Sequence, residues 1–350
     1  MKRADHDLGF ILQYENIAWY DAGKVRILDR RVYPMQVRFV TCTRVQDVAQ
    51  AIADMVTQSG GPPTAAMMGM VLAAYEGRFL RGKELYEKLQ RAAYLLSHAR
   101  PTTAAAMMRV TDACLSEAKW AIDYGRNVVE HLQNYAIEQL DKKFRRYEMN
   151  ARLLADRFPK KGGIMTQCFG ETVVGLMLRE ARERNLDLKI YCPETRPYLQ
   201  GARLTSSCFA QMGFDTTVIT DNMVAYSMER GLIDVFSSAA DSIARSGHIA
   251  NKIGTFQIAI LAKHFGVPYY VTGVPDRDKM GRDDIVIEMR DPEQVLRYRG
   301  IANTLPEVKA IYPSFDVVPP HLISGVVTDK GVYVPHMLNT YFDTEAKQFY

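Results

Sequence analysis

A change of texture at Lys160-Lys161-Gly162-Gly163 constrains this chain more than any other feature. Beyond it, short strand-like runs alternate with helical stretches: Ile164–Gln167, Leu188–Cys192, Thr216–Thr220, Val235–Ala239 and Tyr269–Thr272. That alternation predicts a parallel sheet with crossover helices. Before it, from about Thr43 to Phe158, the pattern is helical almost throughout. Thr43 is placed to cap a helix through Val45, Val48, Ile52 and Val56, whose apolar residues recur at helical spacing. Gly60-Gly61-Pro62-Pro63 breaks it, Pro101 suits the first turn of another helix, and residues 116–157 form a long, charged, amphipathic stretch. Residues 17–28 read as a hairpin turning at Asp21-Ala22-Gly23-Lys24. The expected class is α/β: a mainly helical N-terminal domain with a small β-hairpin region over 1–160, then a Rossmann-like parallel-sheet domain over 161–350.

Composition narrows the function. Charged residues make up 24% of the chain and hydrophobic ones 47%, the balance of an ordinary soluble globular protein. The net charge is only +4 with both signs mixed, which gives no case for nucleic acid or a membrane as partner. No apolar run approaches a membrane span, and no apolar stretch follows Met1-Lys2-Arg3-Ala4-Asp5-His6-Asp7 to make a signal peptide. The cysteines, Cys42, Cys114, Cys168, Cys192 and Cys208, are odd in number, widely spaced and without a Cys-x-x-Cys pair. They argue against a disulfide framework or a zinc site and fit a reducing cytoplasm.

The segment Pro193-Glu194-Thr195-Arg196-Pro197-Tyr198-Leu199-Gln200-Gly201-Ala202-Arg203-Leu204-Thr205 follows one predicted strand and opens what reads as a helix. In α/β folds ligands bind at such strand ends, where helix-start N–H groups attract anions. Gln200, Arg196 and Arg203 would add side-chain donors to an anion or sugar-phosphate site. The plainer alternative is a capped crossover loop with surface arginines. Gly170 to Gly175 lacks the dinucleotide fingerprint, and there is no phosphate-binding Gly-x-x-x-x-Gly-Lys-Ser/Thr loop, so no nicotinamide or nucleotide cofactor is expected. Cys168 ends the first strand of this region, where a following helix would favour thiolate; otherwise it is a small buried hydrophobe. Asp241 follows Val235–Ala239 at the same predicted edge, where an acid is often a helix cap.

Three blocks in order carry a resemblance: Thr166-Gln167-Cys168-Phe169-Gly170-Glu171, Glu194-Thr195-Arg196-Pro197 with Gln200-Gly201, and Asp234 to Asp241 with Ala250-Asn251-Lys252-Ile253-Gly254-Thr255. Together they resemble the methylthioribose-1-phosphate isomerase family, over about Ile17 to Val334. That family includes 5-deoxyribose-1-phosphate and ribose-1,5-bisphosphate isomerases, and its non-enzymatic relatives are regulatory subunits of the translation-initiation nucleotide-exchange factor. The resemblance implies that Cys168 and Asp241 are catalytic. It assigns Gln200, Asn251 and Lys252 to the substrate and Arg100 to its phosphate, with Ser59, Gly60 and Gly61 as the phosphate loop. By their own spacing, Asn251 and Lys252 would only cap and flank a helix beginning near Ile253. Met67, Met68, Met70, Met107 and Met108 read as core, some of them as possible lining near the sugar's C5 end.

Several positions depart from the family pattern. Ser59-Gly60-Gly61-Pro62 stands for Arg-Gly-Ala-Pro, Gln167 and Phe169 flank the cysteine in place of His and Asn, His248 replaces an Asp, and the Arg after the catalytic Asp is lost. The expected activity is conversion of a 5-modified ribose 1-phosphate to the ribulose 1-phosphate, on 5-deoxyribose 1-phosphate or S-methyl-5-thioribose 1-phosphate. The alternatives are a ribose-1,5-bisphosphate isomerase and a catalytically silent sensor of a sugar phosphate or nucleotide. No cofactor or metal is expected. A homodimer joined through the α/β domain is implied by the resemblance alone.

Overall fold

A computed structural model describes residues 3–100, 104–298 and 300–343. The chain divides into two compact units, Met1–Arg145 and Arg146–Tyr350.

The first unit opens with the short helix α1, Tyr14–Ile17, and the antiparallel strands β1, Ala18–Asp21, β2, Lys24–Leu28, and β3, Phe39–Cys42. Asp21 pairs with Lys24, leaving the two-residue turn Ala22-Gly23 with φ of 43° and 81°. Positive φ at both positions is the turn geometry that matches strand twist in a tight hairpin. Helix α2 is Val45–Ala53. Its cap residue is Arg44, not Thr43: the Asp47 carboxylate reaches back to accept the N–H groups of Arg44 at 3.0 Å and Thr43 at 3.1 Å. Val56 lies beyond the helix yet stays buried.

Helix α3, Gly61–Glu76, is apolar and buried on nearly every face, so it forms the axis around which the unit packs. Around it lie α4, Gly82–Ser97, α5, Ala104–Asp123, and α6, Val128–Ala155. Met67, Met68, Met70 and Met107 are core residues, whereas Met108 is exposed. The amphipathic stretch 116–157 is two helices, broken where Gly125 takes a φ of 61°. Pro101 lies outside the described residues. The division between the units falls inside α6, earlier than 160, while the first strand of the large sheet begins at Lys161.

The second unit carries β4, Lys161–Thr166, β5, Asp187–Pro193, β6, Asp215–Ile219, β7, Val235–Ala239, β8, Ser242–Ile243, β9, Ile249–Lys252, and β10, Tyr269–Thr272. The ribbon β11, Arg297–Tyr298, and β12, Ile301–Ala302, follows, then β13, Phe315–Val318, β14, Gly325–Val327, and β15, Val332–Tyr333. The five predicted strands are β4, β5, β6, β7 and β10. They lie in a seven-stranded sheet of order β15-β14-β10-β7-β4-β5-β6, parallel except for β15. A second sheet, β13-β9-β8, has no counterpart among the predicted strands. Helices α7, Thr172–Glu183, α8, Ser206–Gln211, α9, Val224–Glu229, and α10, Thr255–Phe265, connect the strands. Among the described residues no helix is long and apolar enough to cross a membrane.

The sheet grows from β4 through β5 to β6, then returns to the other side of β4 for β7 and β10. This reversal opens a crevice at the carboxyl ends of β4 and β7, the place where open α/β sheets bind ligands. Gly201 stands directly on the end of β5. A Cβ there would run into the Pro193 carbonyl and lie 2.8 Å from Thr195 Oγ1. Gly201→Ala should therefore cost about 1–3 kcal/mol by overpacking. Chemical denaturation would register the loss as a lower midpoint at an unchanged slope, and a wild-type midpoint would refute the close approach.

Candidate active site at the β4–β7 crevice

Cys168 follows β4 and Asp241 follows β7, so the two adjacent strands at the sheet reversal deliver them to one edge. Cys168 has a φ of 63°, and its carbonyl accepts the hydroxyl of Thr205. The Asp241 N–H donates to Ala250 O at 2.9 Å, tying the end of β7 to β9.

Asn251 and Lys252 are buried residues of β9, not a helix cap and its flank. The strand pairs Asn251 with Asp316 and Lys252 with Phe315, and Lys252 Nζ lies 4.8 Å from the Phe315 ring centre. Helix α10 begins only at Thr255, after Gly254 at a φ of 99°. Its start is fixed by Asp316, which accepts the N–H groups of Gly254 at 2.7 Å and Phe256 at 3.1 Å. Burial pushes the Asp316 carboxyl up to about 6, against those bonds and the charge of Lys252. Asn251 Nδ2 still touches the helix start, donating to Thr255 Oγ1 at 3.1 Å.

Gln167, where the family has His, has a bracing function. Its Nε2 donates to Ile253 O at 3.2 Å, and its Oε1 accepts from Thr195 Oγ1 at 3.5 Å. It thus joins the ends of β4, β5 and β9. Phe169 is buried. His248 is partly buried with Nδ1 2.9 Å from Ser246 Oγ, and burial lowers its pKa, favouring the neutral ring.

The expectation of a thiolate at Cys168 is overturned. Burial pushes the thiol up to about 11 and Asp241 adds to the rise, outweighing Lys252, the Phe169 N–H and Arg290, which pull it down. Helix α7 starts only at Thr172, so Cys168 lies outside its first turn, where the helix field is strongest.

In the Pro193–Thr205 segment, the plainer reading holds for the arginines. Arg196 donates to the carbonyls of Pro197 and Val295 at 3.1 Å, and Arg203 donates to Tyr198 O at 2.8 Å. Both hold the loop in shape. The N–H groups of Thr195 and Arg196 are satisfied by Asp221 at 2.8 and 2.7 Å. Gln200, by contrast, is buried with its Oε1 unpartnered among the described residues. It precedes a π-helical turn, Gly201–Thr205, a local geometry that recurs at functional sites.

Arg290 and Tyr312 escaped the sequence reading. The Arg290 side chain is 6% exposed, with Nη2 3.5 Å from Glu288 Oε2. Its N–H donates to Tyr312 O at 2.8 Å, and Tyr312 is buried. The next link is Ser314 N–H to Glu288 O at 2.8 Å, and Ile253 N–H to Ser314 O at 3.1 Å carries the ladder to the Gln167 contact. Arg290 Nε and the Tyr312 hydroxyl are buried without a hydrogen-bond partner among the described residues, Arg290 Cζ lies 6.0 Å from the Tyr312 ring centre, and the Arg290 charge acts on Cys168. An Arg before Asp-Pro, in a stretch without strand periodicity, carries no sequence signal of burial.

The other predicted residues lie in the first unit. Ser59 is exposed with a φ of 57°, Gly60 caps α3 and Gly61 begins it. Arg100 is buried just beyond the end of α4.

The model of the Initiation factor 2 subunit family matches residues 58–335. Methylthioribose-1-phosphate isomerase of Chloroflexus aurantiacus is 34% identical over 341 residues, covering 91% of this chain and 95% of that protein. The enzyme of the same name from Thermosipho melanesiensis is 34% identical, with 88% and 92% covered. Among solved structures, 5-methylthioribose 1-phosphate isomerase from Pyrococcus horikoshii superposes with a TM-score of 0.81 at 26% identity, covering 95% of this chain and 96% of that one. The delta subunit of translation initiation factor eIF-2B from A. fulgidus gives a TM-score of 0.79 at 28% identity, covering 91% and 96%. Family match, full-length relatives and shared fold agree: this chain belongs to the Initiation factor 2 subunit family and, within it, to the methylthioribose-1-phosphate isomerase family.

Proposed function

We propose that this protein is an aldose–ketose isomerase that opens a ribose 1-phosphate altered at C5 and returns the ribulose 1-phosphate. The observation that carries the reading is the pair Cys168 and Asp241 at the ends of adjacent strands, beside a buried lysine on β9. A sugar 1-phosphate has no free aldehyde, so two events are required. Asp241 gives a proton to the ring oxygen and the C1–O4 bond breaks. Hydrogen then leaves C2 and arrives at C1, while the C2 hydroxyl proton returns to Asp241 and C2 becomes the carbonyl. Cys168 stands at C2, as the base that carries a proton across or as the neighbour of a hydride shift. In the second unit Lys252 would hold the phosphate, and Gln200 and Asn251 the sugar hydroxyls; Arg100 and the Ser59–Gly61 backbone keep a phosphate role by the resemblance alone. The unpartnered Oε1 of buried Gln200 supports its share of that role.

A catalytically silent sensor is the second reading, favoured by the likeness to the eIF-2B delta subunit. A pure binding module has no need of Cys168 and Asp241 together. Cys168→Ser and Asp241→Asn should each lower kcat by about a hundredfold or more. Retention of near-wild-type turnover by either one would remove that residue from the mechanism.

The sign of the pH dependence follows from the raised thiol. With a pKa of about 11, the ionised form is scarce at neutral pH and grows about tenfold per unit as pH rises. If Cys168 is the base, the hydrogen it carries passes through an exchangeable S–H, so turnover in D2O should place solvent deuterium at C1. Product free of solvent deuterium would assign C2–H transfer to the hydride route.

For the substrate, we favour a small uncharged group at C5, either hydrogen or methylthio. The departures at Ser59, Phe169 and His248 motivate a shifted preference, and none of these three brings a cation. Apolar recognition separates such groups by only about 1–3 kcal/mol, so kcat/KM for 5-deoxyribose 1-phosphate and methylthioribose 1-phosphate should differ by less than roughly a few hundredfold. Ribose 1,5-bisphosphate should be the poorest of the three. A clear preference for it, measured side by side, would reject an apolar C5 pocket.

A further inference from the structure

The phosphate loop has lost its expected arginine at Ser59, yet a different arginine lies under it. Arg30 is fully buried. Its Nη1 donates to Gln58 O at 2.5 Å, and its own N–H donates to Val56 O at 2.9 Å, so backbone and side chain together hold the loop that leads into α3. A Cβ on Gly61 would come within 3.2 Å of Arg30 Nη1, which puts the guanidinium at the helix start. A second cation, Lys143, donates to Gly60 O at 3.3 Å.

Two further observations point to an anion. Thr57 Oγ1 and Gln58 Nε2, in side chains no more than 5% exposed, have no hydrogen-bond partner among the described residues. Pro62 and Pro63 occupy the first turn of the sixteen-residue α3 and carry no N–H. The helix start therefore keeps its positive field but lacks its usual donors, so an anion there depends on the Ser59 and Gly60 backbone and on side-chain charge.

We propose that Arg30 is the positioning cation of a phosphate subsite at the start of α3, supplying from beneath the loop the charge that Ser59 no longer supplies within it. Acting through Gln58 O, it turns the loop N–H groups toward the phosphate and adds its field to theirs. The inference rests on the proposed phosphate role of Ser59–Gly61, but binding of inorganic phosphate tests it without any isomerase activity. Titration calorimetry on the full chain should show Arg30→Gln weakening phosphate by about tenfold, through the lost field and the loosened loop. In the isomerase assay the same variant should raise KM similarly while kcat stays within about threefold, and Arg30→Lys should keep both close to wild type. A folded Arg30→Gln protein with wild-type phosphate affinity overturns the proposal. Ser59→Asp guards against a folding failure, because the left-handed backbone at position 59 accepts Asp and the side chain is exposed. It should abolish phosphate binding, and unchanged affinity there would equally overturn the subsite. If phosphate binding responds as expected but no sugar phosphate is turned over, the isomerase reading fails and the subsite stands.

Discussion

The pairing of β4 with β7 is the constraint on which the second unit depends. It is clasped at its start, where Gly163 N–H donates to the Asp234 carboxylate at 2.8 Å and Asp234 N–H returns to Gly163 O at 2.8 Å. Only glycine serves at 163, because a Cβ would strike the Leu232 carbonyl. Once β7 lies against β4, the order of the sheet has to reverse there, and the crevice at its far end follows from topology. Cys168 and Asp241, distant in sequence, become neighbours in strand order because those two strands are neighbours. The proposed chemistry thus rests on a contact at the opposite end of the strands that carry Cys168 and Asp241.

Around that edge, burial competes with charge. Cys168 is raised by desolvation, and the groups that oppose the rise, Lys252 and Arg290, come from the second sheet and from the segment bonded alongside it. Asp316 shows the same balance with the opposite charge type: burial favours its neutral form, while two N–H groups and Lys252 favour the carboxylate. The β13-β9-β8 sheet is therefore more than a cover. It holds Lys252 in register with Phe315, orients the start of α10 and supplies the positive charge facing the thiol. Titratable groups shifted by burial and by specific partners in one crevice are a mark of a functional site.

What the sequence made legible follows from what each signal measures. The central strands were readable because β4 and β7 are buried on both faces and appear as continuous apolar or small-residue runs. Strands β8, β9 and β13 hold two to four residues, too few to establish a period. Asn251 and Lys252 therefore read as a helix start, since Asn before a helical stretch is the usual capping pattern. The cap of α2 was misplaced by one residue, because the bonding group is Asp47 reaching backward, not Thr43 reaching forward. The edge position of Cys168 and Asp241 was derivable from strand and helix alternation, whereas their catalytic roles came only from resemblance. The state of the thiol was not derivable, because desolvation depends on packing that no local pattern records. Arg290 and Tyr312 were invisible for the same reason: their ladder joins segments far apart in the chain.

The first unit shows why comparing motifs residue by residue can mislead about charge. At position 59 the chain lacks a cation that its family pattern carries, and the sequence alone suggests a weakened phosphate loop. An anion, however, responds to charge and donors in space, not to their place in a motif. A guanidinium under the loop contributes nearly the same field as one within it, and a low-dielectric setting strengthens that field. The position differs in one respect that matters for selectivity. An arginine in the loop can swing toward any anion at the loop's outer face, whereas one anchored to Gln58 O and Val56 O acts only on what the loop itself grips. Moving the charge inward would leave phosphate recognition intact while removing a mobile cation from the outer side of the loop. On that reasoning, in the proposed subsite the Ser59 departure would narrow the set of anions the loop accepts without weakening its grip on phosphate.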